Sequence, residues 1–154
     1  MKLSRKADYA LRVLFTLVDR RGEGPISMTA LAKQNDVPKR FLEHIMLDLK
    51  SQRWVESTPG RTGGYALACS PDDVTLGQVV RFFDGVIAPV GCVSVTNFEG
   101  CSQAATCRFR RILLDIRNLT AAHLDSATLA QVARNQPVAE REVYSLELIG
   151  GDGI

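Results

Sequence analysis

The 154-residue sequence predicts a mostly α-helical fold with a small β-wing, in which a winged helix-turn-helix precedes a long dimerisation helix. Three observations predict it. Apolar residues recur at three- and four-residue steps through most of the first fifty positions, the spacing of amphipathic helices. A short alternating stretch follows, broken by "PGRTGG", the form of a hairpin with a glycine-rich tip. The helical period then returns in "QAATCRFRRILLDIRNLTAAHL", a segment that lies beyond the compact unit and whose apolar stripe needs a partner.

In order along the chain, "SRKADYALRVLFTLVDRRG" places Ala7, Ala10, Leu11, Leu14, Leu17 and Val18 on one face, and "RRGEG" ends the helix. "ISMTALAKQND" offers Ser27 as an N-cap for a short second helix. "NDV" makes a turn, and Pro38 suits the first position of the next helix. In "PKRFLEHIMLDLKSQ" the residues Phe41, Leu42, Ile45, Met46 and Leu49 form a stripe predicted to be buried, which leaves Lys39, Arg40, Glu43 and His44 facing solvent or a ligand. Two short helices joined by a tight turn, the second with a basic N-terminal end, make a helix-turn-helix whose second helix fits the major groove of DNA. "WVESTPGRTGGYALAC" adds the wing, with Arg61 at a tip able to enter a minor groove or touch phosphate. In "TLGQVVRFFDG", Thr75 and Gln78 have capping-box spacing and Gly85 can close the helix. "SATLAQVARN" reads as a last short helix capped by Ser126.

This divides the chain into a DNA-binding unit at 1–85, a cysteine-containing loop at 86–107, a dimerisation helix with a short C-terminal helix at 103–135, and an unassigned tail at 136–154. Residues 1–61 carry twelve Lys or Arg against seven Asp or Glu, while 62–154 carry seven against ten. A basic half of this kind suits a polyanion, although a solvated charged face would give the same count. Lys2, Arg5 and Lys6 are expected on phosphates. Glu43 can accept from a cytosine amino group and His44 can reach a base edge. The dimer seam is expected at Phe109, Ile112, Leu113, Ile116 and Leu119, giving a two-fold homodimer suited to a pseudo-palindromic duplex operator. No apolar run approaches the roughly 20 residues a bilayer requires, and the charged N-terminus lacks the form of a secretory signal. A cytoplasmic protein is expected. There is no nucleotide loop and no convergent acid–base set, so neither catalysis nor a small-molecule substrate is expected.

Three of the four cysteines, Cys92, Cys101 and Cys107, fall within sixteen residues at the spacing C-x8-C-x5-C. In a reducing compartment such a cluster points to a metal or to redox chemistry. Three thiolates with one weaker ligand suit an iron–sulfur cluster. They also suit tetrahedral zinc, although the C-x2-C knuckle frequent in structural zinc sites is missing, and a thiol–disulfide switch is a further reading. Cys69 falls on the inward face of the wing and reads as a small hydrophobe.

With "MKLSRKADYALRVL", "FLEHIMLDLKSQRWVESTPGRTGGYALA", "DVTLGQVVRFFDG" and the three cysteines ahead of a long helix, the chain resembles the winged-helix regulators typified by IscR, NsrR and RirA. The resemblance covers roughly 1–133. It implies a transcriptional regulator, such as a repressor, that responds to iron, redox state or nitric oxide. It also implies an iron–sulfur cluster, 4Fe–4S in preference to 2Fe–2S, on Cys92, Cys101 and Cys107. The first cysteine interval is longer than the C-x5-C-x5-C of the IscR type. Arg110 stands where that type has a histidine ligand, so Asp8, at the position of the NsrR-type carboxylate from the other subunit, is the implied fourth ligand. An i,i+4 pair with Arg12 is the competing role for Asp8.

Overall fold

A computed structural model describes residues 2–85 and 87–143. Most of the unassigned tail, 144–154, lies outside them. The elements are α1 (Arg5–Asp19), α2 (Met28–Gln34), α3 (Lys39–Ser51), β1 (Val55–Thr58), β2 (Gly64–Leu67), α4 (Leu76–Asp84), a 3-10 turn (Gly91–Val93), α5 (Arg110–Ser126), α6 (Leu129–Val132) and α7 (Glu140–Val143). The fold is mostly helical with a two-stranded antiparallel wing.

Local chemistry sets the helix starts. The Ser4 hydroxyl accepts from the Ala7 amide at 3.1 Å and Ser27 from Ala30 at 3.2 Å, each satisfying an otherwise orphaned N–H. Thr75 and Gln78 form the expected capping box. Gly85, at φ 72°, ends α4 in a conformation that a β-carbon disfavours. Pro38 stands one position earlier than expected, at the N-cap of α3.

Ala10, Val13, Leu14 and Leu17 of α1, Leu31 of α2, and Leu42, Ile45, Met46 and Leu49 of α3 close one core with Val55, Val74 and Val79. Phe41 corrects the predicted stripe: it remains 39% exposed and packs edge-on against Tyr9. It lies one position before Leu42, about 100° around the helix, and so turns off the line that Leu42, Ile45, Met46 and Leu49 share.

The wing registers Val55 opposite Leu67 and Thr58 opposite Gly64. The chain before α2 adds a rung, because the Ile26 and Tyr65 amides each donate to the other's carbonyl at 2.9 and 2.8 Å. Gly64 permits this approach: a β-carbon there would sit 2.3 Å from the Ile26 carbonyl oxygen.

Two further boundaries differ from the sequence reading. Ser126 ends α5, and the α6 cap is Thr128, which accepts from the Gln131 amide at 3.2 Å while Gln131 accepts from the Thr128 amide. The long helix begins at Arg110, not within the cysteine segment, and no side chain caps it. After α5 the chain returns to the first unit. Leu76 and Leu129 amides donate to the carbonyls of Ala127 and Val74 at 2.9 and 2.8 Å, and Leu129 is fully buried in the main core.

Candidate functional site

The α2–α3 turn is built from three residues. Asp36 adopts φ 52°, a conformation Asp tolerates better than most residues. Val37 is buried beneath it. Asn35, also buried, donates from Nδ2 to the Leu31 carbonyl at 2.9 Å and accepts at Oδ1 from the Thr16 hydroxyl at 2.9 Å. The turn is thus pinned to α1, which fixes the direction in which α3 leaves it.

Lys39, Arg40, Glu43 and His44 are exposed on the first two turns of α3. Lys2 and Arg5 are exposed near the start of α1, and Arg61 is exposed on the wing tip. Lys6 is placed differently from the rest: its ammonium lies 2.7 Å from Asp48 of α3 and 5.5 Å from the Phe83 ring centroid. Its charge therefore helps lock α1 to α3 and α4. A tie the sequence did not signal joins wing to helix, with Lys50 Nζ donating to the Ser57 hydroxyl at 2.6 Å. Trp54 behind the wing meets Phe82 of α4 edge-on at 5.7 Å.

The cysteine loop is different in kind. All four cysteines are free thiols. Cys92 and Cys107 are half-buried and open onto one concavity of about 480 Å³, lined also by Phe98, Arg110, Arg111 and Arg117. Cys101 is exposed and does not line it. The loop is held by its own backbone: Ser94 and Glu99 amides donate to the Gly91 carbonyl at 3.0 and 3.1 Å. Arg110 donates from Nη2 and Nε to the Cys92 carbonyl at 2.8 and 3.3 Å. The residue that stands in the histidine-ligand position is therefore a clamp between the loop and the start of α5. Nothing in the sequence announced that role.

Asp8 sits on α1 with both carboxylate oxygens engaged by Arg12, at 2.7 and 3.1 Å. This contact and the charge of Asp8 hold the Arg12 guanidinium above its usual pKa. Among the described residues of the single chain no three His, Cys, Asp or Glu side chains converge as a metal site. The donor chemistry nonetheless suits an iron–sulfur cluster: three unpaired thiols in the one segment between α4 and α5, with guanidinium groups on the concavity that Cys92 and Cys107 share to balance anionic sulfur. Cys69 is unlike the other three. It packs against the core near the wing, its thiol directed at the Trp54 carbonyl at 3.8 Å. Burial and then Asp73 push its pKa up, with Arg21 opposing, so it favours the protonated form that ligates metals poorly.

On α5 no residue is buried. Phe109 at its N-cap, Ile112, Ile116 and Leu119 are 69%, 60%, 44% and 72% exposed, and Leu113 is half-buried. No helix among the described residues is long and apolar enough to cross a membrane.

Comparison with known proteins supports the winged-helix fold. A family model described as "Rrf2: Iron-dependent Transcriptional regulator" matches residues 3–135. An rrf2-like HTH-type transcriptional regulator of Rhodobacter capsulatus is 37% identical over 145 residues, 90% of this chain and 97% of that protein. The transcriptional regulator CymR of Bacillus subtilis is 33% identical over 144 residues, 94% of this chain and 97% of that protein. Its solved structure, described as that of a global cysteine regulator, superposes with a TM-score of 0.73 at 31% identity, covering 89% of this chain and 99% of that one. The T. potens IscR structure gives a TM-score of 0.64 at 26% identity, over 94% and 97% of the two chains. The relatives are transcriptional regulators and not enzymes. With its winged helix-turn-helix and a family match spanning most of its length, this chain belongs to the Rrf2 family of DNA-binding transcriptional regulators.

Proposed function

We propose that this regulator acts in the cytoplasm as a homodimer whose affinity for a pseudo-palindromic operator is switched by an iron–sulfur cluster, 4Fe–4S in preference to 2Fe–2S. Cys92, Cys101 and Cys107 would hold the cluster, with Asp8 of the second copy completing the set. The observation that carries the reading is the shared concavity of Cys92 and Cys107 at the start of α5, with three arginines around it. When bound, the group supplies sensitivity to oxygen, nitric oxide or iron loss at its weakest ligand. The chain supplies the rest. The loop joins α4 to α5, and Arg110 ties Cys92 to the first turn of α5. Closure of the loop around three thiolates therefore acts on the helix that carries the exposed stripe. Pairing of that stripe between two copies sets the distance between recognition helices, which must match half-sites about 34 Å apart. Lys2, Arg5 and Arg61 approach phosphate, and Lys39, Arg40, Glu43 and His44 face the bases.

A cluster-free thiol switch is the second reading, favoured by the position of Cys101 outside the concavity shared by the other two. Anaerobic reconstitution with visible absorbance and iron and sulfide assay decides between them. The wild type is expected to load, Cys92→Ala, Cys101→Ala and Cys107→Ala each to lose the cluster, and Cys69→Ala to retain it. Retention by Cys101→Ala would overturn the ligand set. A wild type that takes up zinc but never iron and sulfide would overturn the cluster.

A further inference from the structure

Phe41 is the one large apolar side chain in the first turn of α3 that stays exposed, at 39%. Its ring meets Tyr9 of α1 edge-on, centroids 5.7 Å apart and planes at 83°. Arg12 lies over the Tyr9 ring at 5.5 Å from its centroid. With Pro38, the two rings floor an open groove of about 380 Å³, rimmed by Arg5, Arg40 and His44. The groove is apolar at its floor and cationic at its edge, and it shares residues with the face of α3 that reads DNA.

These features narrow what can occupy it. A recognition helix enters the major groove, where the apolar feature of a base edge is the 5-methyl of thymine, and phenylalanine is among the side chains that contact it. Arginines on the rim match the phosphates that flank such a base. The contact between the rings positions Phe41 before DNA arrives, so little freedom is lost on binding.

We propose that Phe41, braced by Tyr9, is a specificity-determining residue whose notch receives the 5-methyl group of one thymine in each operator half-site. The assignment rests on α3 being the recognition helix and is independent of what the cysteine loop holds. Cytosine at that position lacks the methyl group, so the notch selects thymine in addition to whatever Glu43 and His44 read.

Operators are selected from a random duplex pool with the full-length protein in whichever form, reconstituted or metal-free, binds DNA. Each thymine is then replaced in turn by deoxyuridine, which removes only the methyl group. One position per half-site is expected to weaken wild-type binding about fourfold per methyl lost. Phe41→Ala, folded by its far-ultraviolet spectrum though less stable for want of the ring contact, binds more weakly and no longer distinguishes thymine from uracil there, while Phe41→Leu recovers part of the discrimination. Arg5→Ala weakens both duplexes equally and lowers the salt dependence. A wild type indifferent to every replacement, or a Phe41→Ala protein that still discriminates, overturns the notch. So does a Phe41→Ala protein that changes its oligomeric mass and leaves thymine discrimination intact, since the groove would then be covered by a second copy. If α3 is not the recognition helix, Lys39→Ala also leaves affinity and salt slope unchanged, which separates the two failures.

Discussion

Leu42 and Leu119 both lie on amphipathic helices, yet Leu42 is fully buried and Leu119 is 72% exposed. The first belongs to a unit whose helices converge on a closed core. The second belongs to a helix with no buried residue and no side-chain cap at its start. The same periodicity thus serves two ends. In the winged unit it specifies a fold within one chain. On α5 it leaves an apolar stripe exposed in the single chain, the kind of surface that marks an interaction face.

One substitution made in both places separates the two helices. Leu42→Ala is expected to destabilise the folded chain by roughly 2–5 kcal/mol through the cavity it leaves. Leu119→Ala, already in solvent in the single chain, is expected to leave dilute, monomeric protein unchanged. Chemical denaturation of the two variants measures the difference, and equal losses would mean that α5 is packed in the isolated chain after all.

Next in size is Ile116→Asp, which places a carboxylate in the proposed seam, where desolvation without a partner is costly. Light scattering is expected to report monomers with a far-ultraviolet spectrum like that of the wild type, and operator binding should fall because a single half-site contact is too weak. A stable dimer of this variant would remove α5 from the interface.

The smallest expected effect concerns Asp8, which would belong to both regions. In metal-free protein Asp8→Ala removes only an exposed i,i+4 pair, about 0.2–0.5 kcal/mol of stability. In reconstituted protein the same change is expected to alter the absorbance spectrum and speed the loss of iron to a chelator. An effect confined to the small stability change would return Asp8 to its contact with Arg12.

Much of the winged unit was legible because its signals are local. The caps at Ser27 and Thr75, the turn at Asn35–Asp36, the glycine-rich tip and the stripe from Leu42 to Leu49 each depend on residues a few positions apart. Phe41 departs from the predicted stripe because an apolar residue at a stripe's edge is ambiguous until its neighbours are known. Ser126 and Thr128 are both good caps for α6 by residue type. The winner is fixed by Gln131 and by pairing of the segment with Val74 and Pro71, more than fifty residues earlier. α5 starts later than its residue types suggest, at Arg110. "QAATC" has helical residues, yet its backbone closes successive turns, with Ala104 and Thr106 amides donating to the carbonyls of Cys101 and Gln103. For the site, the spacing of the thiols was legible, but the Arg110 clamp and the ion pair of Lys6 with Asp48 were not. Both depend on which elements the fold sets side by side.

The ends of α5 are held unequally. At its C-terminal end Asp125 is paired with Arg81 of α4, and the following residues are hydrogen-bonded to the segment before α4. At its N-terminal end the hold is the Arg110 clamp on a loop of irregular backbone. Were the helix to swing about that far end, its arm would be roughly 25 Å for its seventeen residues. A displacement of ~2 Å at the loop, of the size seen when helices shift at interfaces, is a tilt of about 5°. Because that end is stitched to the segment that leads into α4, such a tilt would reorient the exposed stripe and leave the winged unit's own geometry unchanged.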